Sequence, residues 1–567
     1  MNSLILAVIM FAGYLLAYHT YGKFLAKKIF KLEPDAICPS EELRDDVDFV
    51  PTGKHVLFGH HYTSIAGLGP IVGPAIAIIW GWLPAVLWVL LGSIFMGAVH
   101  DFGALVVSLR GKGRSIGDLA ADIINPRVRT LFLLIIFFEL WIVIAVFALI
   151  IAILFDMYPQ AVLPVWFEIP IAVFIGYMIY KKGKSPTMLG IAAVIVMYIT
   201  VVLGAYLPLQ MPGFLGLDPL AIWIVILLIY AYIASILPVQ KLLQPRDFIN
   251  SHQLLIAMTL LVLGVLVAHP VIIAPALDSS PPGAPPILPF LFVVIACGAI
   301  SGFHSLVSSG TSSKQCDTEK SSLFIGYGSM LMEGALATLV IIAVAAGIGM
   351  GLMTKDGELL KDIEAFSHQY SNWAAASGLA AKLSAFVTGS ANMIAAIGIP
   401  AKITIAIMGV FLVSFAATTL DSATRIQRYV VNELAGAWKL KPLRSKHGAT
   451  IVAVVSAFIL AFYNGSGSGA LTLWPLFGAV NQLLAGLALL VITIYLAKKK
   501  INIIYTALPM VFMILMTGWA MIINLKNFYA DANWLLFGIG IAVFILELWM
   551  IVESALVMSK VYGQRTG

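Results

Sequence analysis

Two carboxylic acids sit where water is scarce. Glu139, in Phe138-Glu139-Leu140-Trp141, and Glu333, in Met332-Glu333-Gly334, each fall about eleven residues inside an apolar run. A carboxylate at such depth costs several kcal/mol unless it is paired, hydrated or protonated. A carboxyl that holds its proton near neutral pH can carry that proton, whereas a merely structural one stays hydrogen-bonded. His304 lies deep among hydroxyls and joins Glu139 and Glu333 as a candidate for proton handling. His100-Asp101 lies nearer a span end, just before Arg110, so Asp101 reads as half of an interfacial salt bridge. Asn481-Gln482, in the middle of another run, reads as a pair that bonds neighbouring helices.

Three segments are wrong for plain lipid-facing helices. The first is His60-His61-Tyr62-Thr63-Ser64-Ile65-Ala66-Gly67-Leu68-Gly69-Pro70-Ile71-Val72-Gly73-Pro74. Its two prolines and three glycines leave backbone groups without intrahelical partners, and such groups must be buried or line a watery cavity. A single proline would suggest a tolerated kink; Gly-x-Gly-Pro with a second proline favours a functional unwinding. The second, Tyr230–Gln240, carries Pro238 near a helix end, which is a weak signal alone. The third, Ser301–Ser313, places eight hydroxyl or imidazole side chains in thirteen residues. That polar face needs partners, although Ser and Thr in helices often bond back to their own carbonyls.

The elements that position these residues follow from composition. Of 567 residues, 60% are hydrophobic and 11% charged, with a mean hydropathy of +0.98. A soluble protein carries about 25% charged residues, so soluble enzyme, nucleic-acid binder, fibre and disordered scaffold are excluded. Apolar windows of about 20 residues match helices crossing a ~30 Å hydrocarbon core. They fall at 3–25, 56–79, 81–108, 128–155, 164–181, 187–208, 219–240, 253–275, 287–312, 322–351, 400–424, 449–464, 470–497, 503–524 and 533–558. The sequence thus predicts an all-α polytopic membrane protein of about fifteen transmembrane helices. No segment between them is long enough for a separate soluble domain. The first span is followed by no Ala-x-Ala-type cleavage site and reads as a retained helix.

Orientation follows from Lys and Arg, which concentrate in cytoplasmic loops. Alternate connections and the C-terminal tail hold 29 of the 34 basic residues, leaving Lys355, Lys361, Lys382, Lys402 and Lys526 for the other side. The N-terminus is therefore expected outside and the C-terminus inside. The formal net charge of +6 is spent at helix ends and implies no nucleic-acid partner. An odd number of crossings must separate 355–370 from 425–446, and 400–424 supplies one. The stretch 373–399, rich in Ala, Ser and Gly with Lys382 mid-run, is then expected in the outer interface or dipping partway in.

On this topology 56–79 and 219–240, each a Pro-interrupted helix opening a five-helix half, run in opposite directions five spans apart. The pattern predicts a 5+5 inverted-repeat core of discontinuous helices, the architecture of many secondary transporters. Residues 1–30 form a peripheral N-terminal helix, 56–208 the first five-helix half, and 219–424 the second half including 373–399. Residues 449–558 add C-terminal helices. No Gly-x-x-x-x-Gly-Lys-Ser/Thr, His-Glu-x-x-His or Cys-x-x-Cys occurs, so ATP drive, enzymatic chemistry, a metal and a cofactor are not expected. The spacing of Cys38, Cys297 and Cys316 supports neither a disulfide framework nor a metal knuckle.

Several of these stretches resemble the carbon starvation protein A family. They are His60–Pro74, Gly97–Ala104 with Arg110–Asp118, Ser301–Thr311, Thr418–Arg425 and Phe477–Ala485. The chain looks like a shorter member. The resemblance implies an inner-membrane transporter associated with peptide uptake during nutrient limitation, with relatives linked to pyruvate, and an amino acid–polyamine–organocation architecture. The expected partners are a small peptide or carboxylate, a coupling ion and the bilayer, with the proton as the first choice of ion. Substrate is expected at Ser64, Gly67, Gly69, Pro70 and Gly73, where half-helix N-termini carry partial positive charge, with Tyr232 and Ser235 opposite. Sodium coupling is the alternative, using carbonyls near Ala66 with Ser308, Ser309, Thr311 and Ser312. A membrane-embedded nutrient sensor without net transport is the rival from another class.

Overall fold

The computed structural model describes residues 2–213, 216–354 and 356–566, the side chains of 562–566 excepted. Lys355, assigned above to the outer side, lies outside the described residues. Among the described residues the chain is helical apart from one pair of two-residue strands, Leu352–Met353 with Leu359–Leu360. Each of the fifteen predicted spans has a helical counterpart. Among the described residues, twelve helices are long and apolar enough to cross a membrane. A thirteenth span is the pair Lys54–Ala66 and Gly69–Trp80, bent by 43° at the Gly-x-Gly-Pro step. Lys446–Phe462 is a shorter apolar helix. The predicted span 287–312 is instead two short helices, Ile287–Val294 and Gly302–Gly310, with a non-helical connection between them.

The first break has a plain cause. Pro70 lacks the amide that would continue the helix, and it is tolerated because it falls in the first turn of the new helix, Gly69–Ala77. The second break turns at Gly298, whose φ of +90° belongs to glycine. The expectation that the second half opens with a broken helix is corrected. Pro219–Ile236 is continuous, and Pro238 lies past its end, where it only stops the helix.

Two of the helices that outrun their predicted ends do so with buried charged residues. Leu243–Ala268 begins ten residues before the predicted 253, because Gln244, Arg246, Asp247 and Asn250 are buried inside the bundle rather than in a loop. Ala401–Ala437 continues thirteen residues past 424, with Arg425 and Arg428 buried against Asp48.

Burial separates centre from rim. The windows of Glu319–Met350 and Trp474–Lys498 are 94% buried and that of Ala401–Ala437 is 89% buried, against 33% for Ser3–Ile29 and 28% for Trp534–Val561. Trp474–Lys498, expected among added C-terminal helices, is thus central. The segment expected in the outer interface or dipping partway in forms Trp373–Ser377 and Leu379–Ala395. Its longer helix is largely buried. It packs into the bundle against Gly69–Ala77, Ser329–Ala345 and Ala401–Ala437, with Gly389 against the backbone of Ala343.

Candidate functional site

The two breaks face each other. A Cβ added at Gly69 would fall on the side chain of Cys297, and one added at Gly73 on the Val294 carbonyl. At Gly67 it would come 2.5 Å from Thr419 Oγ1. Three of the glycines read from sequence as site residues are therefore glycine because other backbone and side chains approach them closely. Asn481 Oδ1 accepts from the Phe303 amide at 3.0 Å and the Ser301 hydroxyl at 3.1 Å, capping the half-helix Gly302–Gly310. Gln482 Nε2 donates to the Phe292 carbonyl at 2.6 Å. The expected helix-to-helix bonding by Asn481-Gln482 is present, and its object is the second break.

Between the breaks lies a cavity of about 450 Å³. Its wall includes Gly67, Leu68, Gly69 and Gly73 from the first break and Val294, Ala296, Cys297 and Ser301 from the second. Thr419, Asn481, Asn524, Ser377 and Lys382 add polar side chains to it, and Trp373 and Trp474 add aromatic ones. Among the described residues, the amides of Gly67, Leu68 and Gly69 have no hydrogen-bond partner, so they can serve a ligand.

Other predicted residues stand elsewhere. Tyr232 is corrected: its hydroxyl bonds His447 Nδ1 at 2.8 Å, away from the cavity wall. Ser235 is buried with an unpartnered hydroxyl, and it too is absent from the wall. Both expectations rested on a break in the helix after 219, and that helix is intact. Ser64 bonds Ser422 at 2.9 Å behind the wall, Pro70 packs beside Gly298, and Ala66 is buried.

Beneath the cavity runs a buried polar chain. The Gly298 amide donates to Glu333 Oε1 at 2.9 Å. Glu333 Oε2 lies 3.4 Å from His304 Nε2. His304 Nδ1 contacts Asp101 Oδ2 at 3.0 Å, and Asp101 Oδ1 contacts His100 Nδ1 at 2.7 Å. All four side chains are fully buried. Two of the three predicted proton-handling residues, His304 and Glu333, are thus neighbours. Glu139 shares no contact with them; it is buried on Pro126–Met157 with both oxygens unpartnered. Asp101 is a correction. It is no interfacial partner of Arg110, which pairs with Glu319 instead; the helix Ala98–Arg110 carries Asp101 into the bundle beside His304. Cys297, His304 and Glu333 also bring one ligand atom each to within 4.8 Å of one another, a donor set that suits a soft divalent ion.

The hydroxyls of the alternative ion site are mostly engaged. Ser309 donates to the Ser305 carbonyl at 2.6 Å and accepts from the Ile116 amide. Thr311 and Ser312 each meet an imidazole at 2.8 Å, His60 and His61 respectively. Ser308 is buried without a partner among the described residues. The turn after Gly302–Gly310 thus docks on the helix bearing His60 and His61 through Thr311 and Ser312, while Ser305 and Ser309 of the half-helix bond back to its own carbonyls.

Sequence reasoning missed Thr419, Cys297 and Lys382 in the wall, and Asp101 in the chain below. It also missed a second buried network, in which Arg246 contacts Asp421 at 2.5 Å and Tyr230 at 2.6 Å, with Glu168 3.6 Å away. Asp421 and Thr419 stood inside a motif already singled out, and Lys382 mid-run was a signal used only for topology. Nothing local marks Cys297.

The sequence profile described as "Carbon starvation protein CstA" matches residues 2–520. The chain belongs to this family. Among its relatives, the "Peptide transporter CstA" of Campylobacter jejuni is 32% identical over 554 residues, covering 89% of this chain and 78% of the relative. The "Pyruvate/proton symporter BtsT" of Escherichia coli is 32% identical over 576 residues, covering 90% and 80%. The "Peptide transporter CstA" of Bacillus subtilis is 29% identical, covering 94% and 92%. A crystal structure of a manganese transporter mutant from Eremococcus coleocola aligns over 92% of this chain and 99% of its own, at 12% identity and a TM-score of 0.40. With family members that are transporters along nearly the whole shared length, this member is a transporter rather than an enzyme.

Proposed function

We propose that the chain is a proton-coupled secondary importer of small peptides or small carboxylates such as pyruvate. It works by alternating access around the cavity between the two broken helices. The observation that carries this reading is the bond from Gly298 to Glu333. Glu333 faces the cavity wall through one oxygen and the His304–Asp101 pair through the other. A charged carboxylate holds the Gly298 amide strongly; a neutral carboxyl is a weaker acceptor. Loading a proton between Glu333 and His304 therefore loosens the second break, and substrate occupying the wall changes the cost of that loosening. Proton and substrate are linked through one peptide unit, as reciprocal coupling requires.

The free amides at Gly67–Gly69 suit the substrate carboxylate, and the apolar remainder of the wall suits a small organic body. In this reading the protein sits in the inner membrane with its basic loops and C-terminus cytoplasmic and its N-terminus outside. The two opposed five-helix halves, 56–208 and 219–424, belong to it on topology alone.

The test is uptake into proteoliposomes with proton and sodium gradients imposed separately. An acidic exterior without sodium is expected to concentrate labelled pyruvate or alanylalanine inside. An absolute sodium requirement would move the coupling to another ion. Binding without translocation would favour a sensor, and equilibration without accumulation a passive channel.

A further inference from the structure

Among the described residues, Lys382 is the only charged side chain in the wall of the cavity. It comes from Leu379–Ala395, the helix that packs on the half-helix Gly69–Ala77. The side chain is nine-tenths buried. Among the described residues it has no acid within ion-pair distance, no hydrogen-bond acceptor for its ammonium and no aromatic face beneath it. Other buried basic groups of this protein are paired: Arg246 with Asp421, Arg425 and Arg428 with Asp48, Lys314 over the ring of Tyr429. A buried unpaired cation is costly, and that cost is offset when an anion arrives beside it.

Among the described residues, the same wall contains no Asp or Glu. A carboxylate entering it meets the ammonium and the free amides at Gly67–Gly69, all of one sign. An α-ammonium entering it meets no counter-charge and is repelled by Lys382. The arrangement accepts a negative end and offers nothing to a positive one.

We propose that Lys382 is the specificity-determining anchor for the substrate's carboxylate, and that the wall selects that carboxylate without recognising an amino group. This deepens the reading of the chain as an importer of carboxylate-bearing solutes and rests on it. Lys382 also comes from the segment beside the cavity that leads toward Trp373 and Ser377, so capture of the anion draws that segment onto the substrate.

The experiment uses the full chain in nanodiscs, wild type beside Lys382→Met and Lys382→Arg, and measures binding of pyruvate, pyruvamide, alanylalanine and N-acetyl-alanylalanine together with melting temperature. Wild type is expected to bind pyruvate but not pyruvamide, and to bind the acetylated peptide at least as well as the free one. Lys382→Met is expected to weaken carboxylate binding by about tenfold or more, while Lys382→Arg retains most of it. The ligand-free Met variant should melt no lower than wild type, because it removes a buried charge that has no partner. A merely structural lysine predicts the reverse, a lower melting temperature with affinity preserved in the surviving protein. Wild-type carboxylate affinity in Lys382→Met overturns the anchor and leaves the transport reading standing. If wild type binds none of the carboxylates, the substrate reading falls and the anchor with it.

Discussion

The Gly298 amide donates a 2.9 Å hydrogen bond to Glu333 Oε1. Gly298 belongs to the connection that lines the cavity's far side, and Glu333 to a helix whose spanning window is 94% buried. One bond therefore joins the non-helical connection of the second break to a carboxyl on a buried helix, and the other oxygen of that carboxyl faces His304.

Glu333→Gln keeps an acceptor for Gly298 and removes the titratable group. It is expected to abolish pH-driven accumulation, a loss of 5–150-fold at the ~1–3 kcal/mol scale of site-to-site coupling, while exchange of internal for external substrate persists. Glu139→Gln, remote from His304, is expected to leave accumulation close to wild type. The reverse pattern in proteoliposomes would transfer the coupling role to Glu139.

Gly69 and Cys297 hold the two breaks in contact. Any β-carbon at Gly69 strikes the side chain of Cys297. A substitution there disturbs the packing as well as the wall. Gly69→Ala alone is expected to lower both melting temperature and substrate affinity. Adding Cys297→Gly should recover most of both losses, since residues in contact are strongly non-additive. Purely additive losses in the double variant would show that the two breaks do not press on each other here.

Cys297 is half-buried in the cavity wall, whereas Cys38 and Cys316 are buried elsewhere. A small thiol reagent is expected to modify Cys297 in the native protein, with substrate slowing the reaction. In a Cys297→Ser background, cysteines at Ser367 or Ser377 should label from outside intact cells and one at Ser445 should not. Labelling of Ser377 only after permeabilisation would reverse the assignment of sides.

Asp48 ties the segment before Lys54 to Ala401–Ala437, contacting Arg425 at 2.6 Å and Arg428 at 2.8 Å. Burial alone would raise its carboxyl, but the two guanidiniums outweigh it and hold the group well below the usual carboxylate range. A depressed folded value contributes stability that is complete above the unfolded value of about 3.9 and lost only as pH falls toward the folded one. Stability from this pair should therefore be flat between pH 5 and 8. Asp48→Asn is expected to cost about 3–5 kcal/mol at pH 7, the scale for leaving buried charges uncompensated, read as a lower melting temperature in detergent. Equal melting of variant and wild type at pH 7 would refute it.

Hydropathy and punctuation were enough to read the fifteen apolar segments, the polytopic class and the break at Gly67–Pro70 from the chain alone. These are local properties: a span needs only length and apolar side chains, and a proline removes an amide whatever surrounds it. The family motifs were legible for the same reason, as runs of contiguous residues. Tertiary structure decided what each polar residue meets. Hydropathy cannot distinguish an unbroken apolar run from two half-helices joined at Gly298, because a left-handed turn changes backbone angles and not composition. Asp101 looked interfacial by its distance from a span end, yet packing placed it against His304. Tyr232 reads as a wall residue only if its helix is broken, and the intact helix turns it toward His447. Depth along the chain sets the cost of burying a charge. Only the neighbouring helices determine whether that charge is paired, as at Asp48, or left waiting, as at Lys382.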